Sequence, residues 1–83
     1  MKVQLKYFAS IREAVGSGGE LLDTPATTVA ALRDALIARG GPLADALARG
    51  RHVRVALNHT LVDESATLCE GCEVAFFPPV TGG

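Results

Sequence analysis

Two cysteines, Cys69 and Cys72, are the only thiols in this sequence, too few for the disulfide framework on which small secreted domains rely. An excess of charge of one sign is also missing. Eight Lys and Arg stand against nine Asp and Glu, a net charge of −1, so no general attraction to nucleic acid or an acidic membrane is expected. No run of about 18 apolar residues occurs, and Met1-Lys2-Val3-Gln4 alternates in polarity where a signal peptide would be apolar throughout. These absences point to a cytoplasmic protein with neither membrane nor nucleic-acid partners, held together by packing. At 83 residues the chain has room for one small core, which excludes a large self-contained enzyme. Its 48% hydrophobic and 20% charged residues are a globular balance, not a disordered one.

Hydrophobic periodicity then divides the chain. Val3, Leu5 and Tyr7 alternate with Lys2, Gln4 and Lys6 as in a strand with one face buried. Ser10 and Glu13 have the spacing of a capping box for a short helical turn that Gly16 closes. Glu20–Asp23 is a second short strand, suited to antiparallel pairing with the first and ended by Thr24-Pro25. Thr28 caps the main helix, with Val29, Leu32 and Leu36 on its apolar stripe, Arg33 and Asp34 pointing away, and Gly40 at its end. Pro42 opens one further turn over Leu43–Ala48. Val53, Val55 and Leu57 alternate as a third strand, and Asn58-His59 is a tight turn into Thr60-Leu61-Val62. Leu68 is a lone apolar anchor. In the last strand, Glu73–Phe77, Val74 and Phe76 share one face and Glu73, Ala75 and Phe77 the other. A single helix stripe needs a single sheet face to cover it, which makes a two-layer α+β domain.

Little in this chain has the form of an active site. His52 and His59 lie seven apart across a turn, not at the i, i+4 spacing of a helical metal pair, and Glu70 and Glu73 read as solvated charges. Cys69-Glu70-Gly71-Cys72 is a C-x-x-C, but it sits in a turn leading into a strand. A thioredoxin-like site wants its first thiol at a helix N-terminus, and no second pair completes a zinc site, so no metal is expected; the pair reads as incidental, with a loop-located, oxidisable dithiol left open. Arg49, Arg51, His52 and Arg54 form a basic cluster without the aromatic residues of an RNA-binding face; it reads as a solvated strand edge that leaves a protein partner open.

The chemistry points to the end of the chain, Phe77-Pro78-Pro79-Val80-Thr81-Gly82-Gly83. Two prolines lack N–H donors and fix φ, so the sheet stops near Phe77 and the chain leaves as a stiff arm. The stretch from Pro78 to Gly83 spans roughly 18–21 Å when extended, enough to enter a pocket on another protein. Gly82 and Gly83 remove every side chain beside the α-carboxylate, leaving an unhindered acyl carbon. The division is therefore a domain over 1–77 and a C-terminal tail over 78–83 ending in Gly-Gly.

These residues resemble a known family. Phe8-Ala9, Arg12-Glu13, Val15-Gly16, Thr28-Val29, Ala31-Leu32-Arg33, Asn58, Thr60-Leu61-Val62, Gly71 and above all the run Glu73-Val74-Ala75-Phe76-Phe77-Pro78-Pro79-Val80-Thr81-Gly82-Gly83 are similar to the small, sulfur-carrier subunits of molybdopterin synthase. The likeness runs nearly end to end, departing at Ser17–Gly19, Gly41–Gly50, Cys69 and Cys72. It implies a ubiquitin-like β-grasp: a mixed sheet of about five strands covered by one main helix, with an extended C-terminal tail. It also implies that the Gly83 carboxylate is adenylated by an ATP- and Mg²⁺-using enzyme of the ubiquitin-activating kind. A sulfur donor protein would then convert it to a thiocarboxylate. The large synthase subunit would hold the catalytic site where this sulfur passes to cyclic pyranopterin monophosphate, in a heterotetramer of two small and two large subunits. The chain would be no enzyme alone and would bind no cofactor itself. Thiamine-thiazole sulfur carriers and ubiquitin-like protein modifiers are the alternatives, with a passive interaction or redox module using Cys69 and Cys72 as one different in kind.

The alternation of the strands suggests where partners dock. Phe8 falls on the Lys2-Gln4-Lys6 face, Phe77 on the Glu73-Ala75 face, and Leu61 is the odd member of its doublet. These are expected exposed apolar residues beside the tail, with Arg12 as a polar rim contact. The resemblance implies that Phe8, Arg12, Leu61 and Phe77, with Pro78, Pro79, Val80 and Thr81 of the tail, meet the partners, and that Gly82 and Gly83 carry the reacting terminus.

Overall fold

The alternating run at the start forms strand β1 (Lys2–Tyr7) in a computed structural model that describes residues 1–79. Helix α1 (Ala9–Val15), strand β2 (Gly19–Asp23), helices α2 (Val29–Ala38) and α3 (Gly41–Leu47), and strands β3 (Arg54–Leu57), β4 (Thr60–Val62) and β5 (Glu73–Phe77) follow. The sheet order is β2-β1-β5-β3-β4. β1 and β5 run parallel, and every other neighbouring pair is antiparallel. The last strand is thus central, hydrogen-bonded on both edges.

Val3, Leu5, Tyr7, Val55, Val74 and Phe76 project from the covered face into a core shared with Val29, Leu32 and Leu36 of α2 and Leu43 and Leu47 of α3. Thr28 caps α2 by accepting a 3.2 Å hydrogen bond from the Ala31 amide. Two further free amides at that end, of Val29 and Ala30, donate to the carbonyls of Ala66 and Glu64 in the loop before β5, as a buried helix start requires. Leu68 in the same loop is buried, the expected anchor. Asn58 and His59 both have positive φ, +49° and +70°, the backbone of a two-residue hairpin turn. One glycine is required for closeness: a Cβ on Gly19 would lie 2.2 Å from the Leu5 carbonyl oxygen across the β1–β2 pair.

Three expectations need correction. The Ser10–Glu13 capping box does not form. α1 starts at Ala9 with Phe8 as its N-cap residue and no side-chain cap. The cause is the sheet: the Phe8 amide donates to Phe76 at 3.2 Å, and its carbonyl accepts from Ile11 and Arg12, so the turn begins where pairing with β5 ends. The third strand begins at Arg54 rather than Val53, the register opposite Phe77 setting its start. Arg33 does not point away from the core. It is 4% exposed, and its guanidinium donates to the carbonyls of Leu47 (2.7 Å), Ala48 (2.8 Å) and Arg51 (3.3 Å) and to Glu64 (2.8 Å). It thereby satisfies the carbonyls left free where α3 ends.

Candidate docking face and tail exit

The face of the sheet away from α2 is built by cross-strand register. Lys6 on β1 stands beside Ala75 on β5, Ala75 beside Ala56 on β3, and Ala56 beside Leu61 on β4. The two alanines make a shallow floor between larger neighbours. An open depression forms over it, lined by Lys6, Phe8, Arg12, Ala56, Ala75 and Phe77 among others. Phe8 is 47% exposed and Leu61 59%, while Phe77 is half-buried. Arg12 is exposed and lies along the rim, its guanidinium 3.5 Å from where a Cβ on Gly18 would stand.

Phe8, Arg12 and Phe77 therefore converge on one depression. Leu61 continues the same row toward the sheet edge and lines a separate shallow site with Arg54 and Val62. Arg54 stands directly across from Phe77. Pro78 faces a different groove, between α1 and α3, with Ser10, Ile11, Arg51, His52 and Val53. The chain thus leaves the sheet between two concavities, Phe77 lining one and Pro78 the other. Pro79 is half-buried. Val80, Thr81, Gly82 and Gly83 lie outside the described residues.

The basic cluster does not act as a unit. Arg49 turns back to pair with Asp34 (2.7 Å) and with Glu64, which raises its basicity, whereas Arg51 and His52 stay beside Pro78. His59 is exposed on its turn, its Nδ1 3.4 Å from Glu73. Among the described residues no group of three or more His, Cys, Asp or Glu is placed to hold a metal ion, and no helix is long and apolar enough to cross a membrane. Two elements of this face are absent from the sequence reading: Ala56 as floor, and Leu21, 67% exposed on β2. Alternation marks Ala75 as outward-facing, but its pairing with Ala56 follows only from the sheet order.

The profile of the ThiS family matches residues 5–83. The chain belongs to the ThiS family. This ThiS-family chain is 42% identical over 81 residues to the molybdopterin synthase sulfur carrier subunit of Escherichia coli K12, covering 98% of its own length and 99% of that protein. Its fold is the ubiquitin-like β-grasp. It superposes on the small archaeal modifier protein 1 of Haloferax volcanii with a TM-score of 0.77 at 27% identity, covering 95% of this chain and 98% of that one. A further neighbour comes from the complex of subunits 1 and 2 of molybdopterin-converting factor from Helicobacter pylori 26695, with a TM-score of 0.70, 26% identity and full coverage of both chains.

Proposed function

We propose that this chain is a cytoplasmic sulfur carrier for molybdopterin synthesis, with the Gly83 carboxyl as the group that is loaded. The observation that carries the reading is the 42% identity to a sulfur carrier subunit across 98% of the chain; the family match, moreover, extends through Gly83. A carboxylate is a poor acyl donor because oxide is a poor leaving group. Reaction with Mg²⁺-ATP on an activating enzyme forms an acyl adenylate and releases pyrophosphate. A persulfide sulfur of the donor protein attacks that carbonyl and expels AMP, and a donor thiol cleaves the resulting acyl disulfide to leave the thiocarboxylate.

The body of the domain would supply docking rather than catalysis. Phe8, Leu61 and Phe77 give an apolar face beside the exit, Arg12 a charged rim, and Pro78, Pro79, Val80 and Thr81 the thread that carries Gly82 and Gly83 into a partner's site. The H. pylori neighbour belongs to a complex of two subunits, which supports a large-subunit partner; that partner would accept the tail and hold the pterin substrate. The likeness to a small archaeal modifier protein supports a second reading, conjugation of Gly83 to lysine.

Incubation with ATP, activating enzyme and a persulfide donor is expected to replace one oxygen by sulfur at the C-terminus, read by mass spectrometry of the terminal peptide. Removal of Gly83 should abolish the gain and leave melting unchanged. A gain that maps to Cys69 or Cys72 and survives that removal would overturn the carrier reading. An isopeptide from Gly83 to a lysine would favour the modifier.

A further inference from the structure

The C-x-x-C pair is used by none of the chemistry above and lies at the other end of β5. Cys72 immediately precedes the strand and the tail follows it, so the five residues Glu73–Phe77 separate dithiol from exit by roughly 15 Å. The Cys72 amide donates to the Cys69 carbonyl at 3.1 Å, closing a β-turn whose third residue, Gly71, has φ +78°. That value is left-handed, as a type II turn requires at this position. The turn is fastened to β1 on both sides of Lys2: the Gly71 amide donates to the Lys2 carbonyl (2.7 Å), and the Lys2 amide donates to Glu70 (2.8 Å).

First and last residues of a β-turn have Cα atoms within about 7 Å, and a disulfide spans about 4.4–6.8 Å. Both thiols are free, Cys69 exposed and Cys72 buried against the core at 2% exposure. One thiol is therefore reachable by a solute, and the other is reachable only from its neighbour.

We propose that Cys69 and Cys72 form a thiol–disulfide exchange site for small-molecule disulfides, closing to an intrachain disulfide across the turn. With oxidised glutathione as co-reactant, the Cys69 thiolate attacks one glutathione sulfur, its S–S bond breaks and one glutathione thiolate leaves. The Cys72 thiolate then attacks the Cys69 sulfur and expels the second glutathione. Two cysteine thiols are oxidised to one disulfide, each losing a proton to solvent, and one glutathione disulfide is reduced to two thiols. Burial, the largest influence, pushes the Cys72 thiol up, and the neighbouring Cys69 thiol adds to it, so ring closure quickens as pH rises. The site is independent of the Gly83 chemistry.

The test is titration of the folded full-length chain with oxidised glutathione, read by intact mass and free-thiol count. Wild type is expected to lose both thiols and two hydrogens, keep no glutathione and recover on addition of dithiothreitol. Cys72→Ala, which keeps the buried position apolar, should retain glutathione on Cys69. Cys69→Ser should stay unmodified because its remaining thiol is buried. Wild type that stops as a Cys69–glutathione adduct, links two chains, or does not react under conditions that modify Cys72→Ala would overturn the proposal. Sulfur loading at Gly83 should proceed equally in both variants; its failure in wild type would instead count against the carrier reading.

Discussion

The two faces of β5 are made of alternate residues of one strand, yet they answer to different demands. Val74 and Phe76 are buried in the core that also holds Leu32 and Leu36 of α2. Glu73, Ala75 and Phe77 look onto the open face, where small side chains form a floor and large apolar ones stay partly exposed. The covered face is closed off from solvent, with Val3, Leu5, Leu32, Leu36 and Val74 fully buried. The open face stops short of closure, with Phe8 and Leu61 left in solvent, and this is the form a surface takes when a partner completes it. Neighbouring phenylalanines separate the two roles directly. Phe76→Ala is expected to cost about 3–5 kcal/mol, the range for emptying a buried aromatic site. Phe77→Ala should cost about 1 kcal/mol and chiefly weaken binding to the proposed large-subunit partner. Denaturant melts of both variants, with a binding titration, check the pair; equal losses of stability would erase the distinction.

A charged residue inside the covered face sharpens the comparison. Arg33 shares the stripe of Val29, Leu32 and Leu36, and its spacing, four after Val29 and three before Leu36, is that of a buried position. Residue type rather than periodicity made it read as outward-facing. Its partners, the carbonyls of Leu47, Ala48 and Arg51, lie 14–18 residues further on, beyond any local pattern. Arg33→Met keeps the buried stem and removes the donors, leaving carbonyls unsatisfied. The expected cost is about 2–3 kcal/mol, discounted from a fully buried ion pair because Glu64 is partly exposed. A change below about 0.5 kcal/mol in a denaturant melt would mean that water replaces the guanidinium without loss.

How far the rest was legible follows the same line between local and distant causes. Alternation located β1 and β5, the Thr28 cap located α2, and Asn58-His59 located the hairpin turn, because each is decided by a few consecutive residues. The start of α1 was misplaced because it depends on a hydrogen bond between Phe8 and Phe76, partners at opposite ends of the chain. The docking face was half visible. Strand parity put Phe8 and Phe77 outside, but only the order β1-β5-β3-β4 brings Ala75, Ala56 and Leu61 into one row. No local signal distinguishes an alanine that floors a depression from one that fills a core.

The smallest expected effect lies in the loop beside the start of α2, where Glu64 receives Arg33 and Arg49. Partial burial by itself would raise this carboxyl, but hydrogen bonds from both arginines and their charge outweigh it, and the group is held below its usual range. A carboxyl depressed by folding stabilises the native state above its unfolded pKa, near 4.3, and that contribution is lost as pH falls through the lower folded value. Glu64→Gln should therefore lower stability by about 1 kcal/mol or less at neutral pH, since solvent screens the pair. The gap between wild type and variant should close as pH drops below about 4. Melting temperatures of both proteins from neutral to acid pH measure it. A gap that stays constant would mean that Glu64 contributes hydrogen-bond geometry and no charge. Combined with Phe77→Ala, the loss should simply add, because the Arg–Glu network fastens α2 to the end of α3 and takes no part in the open face.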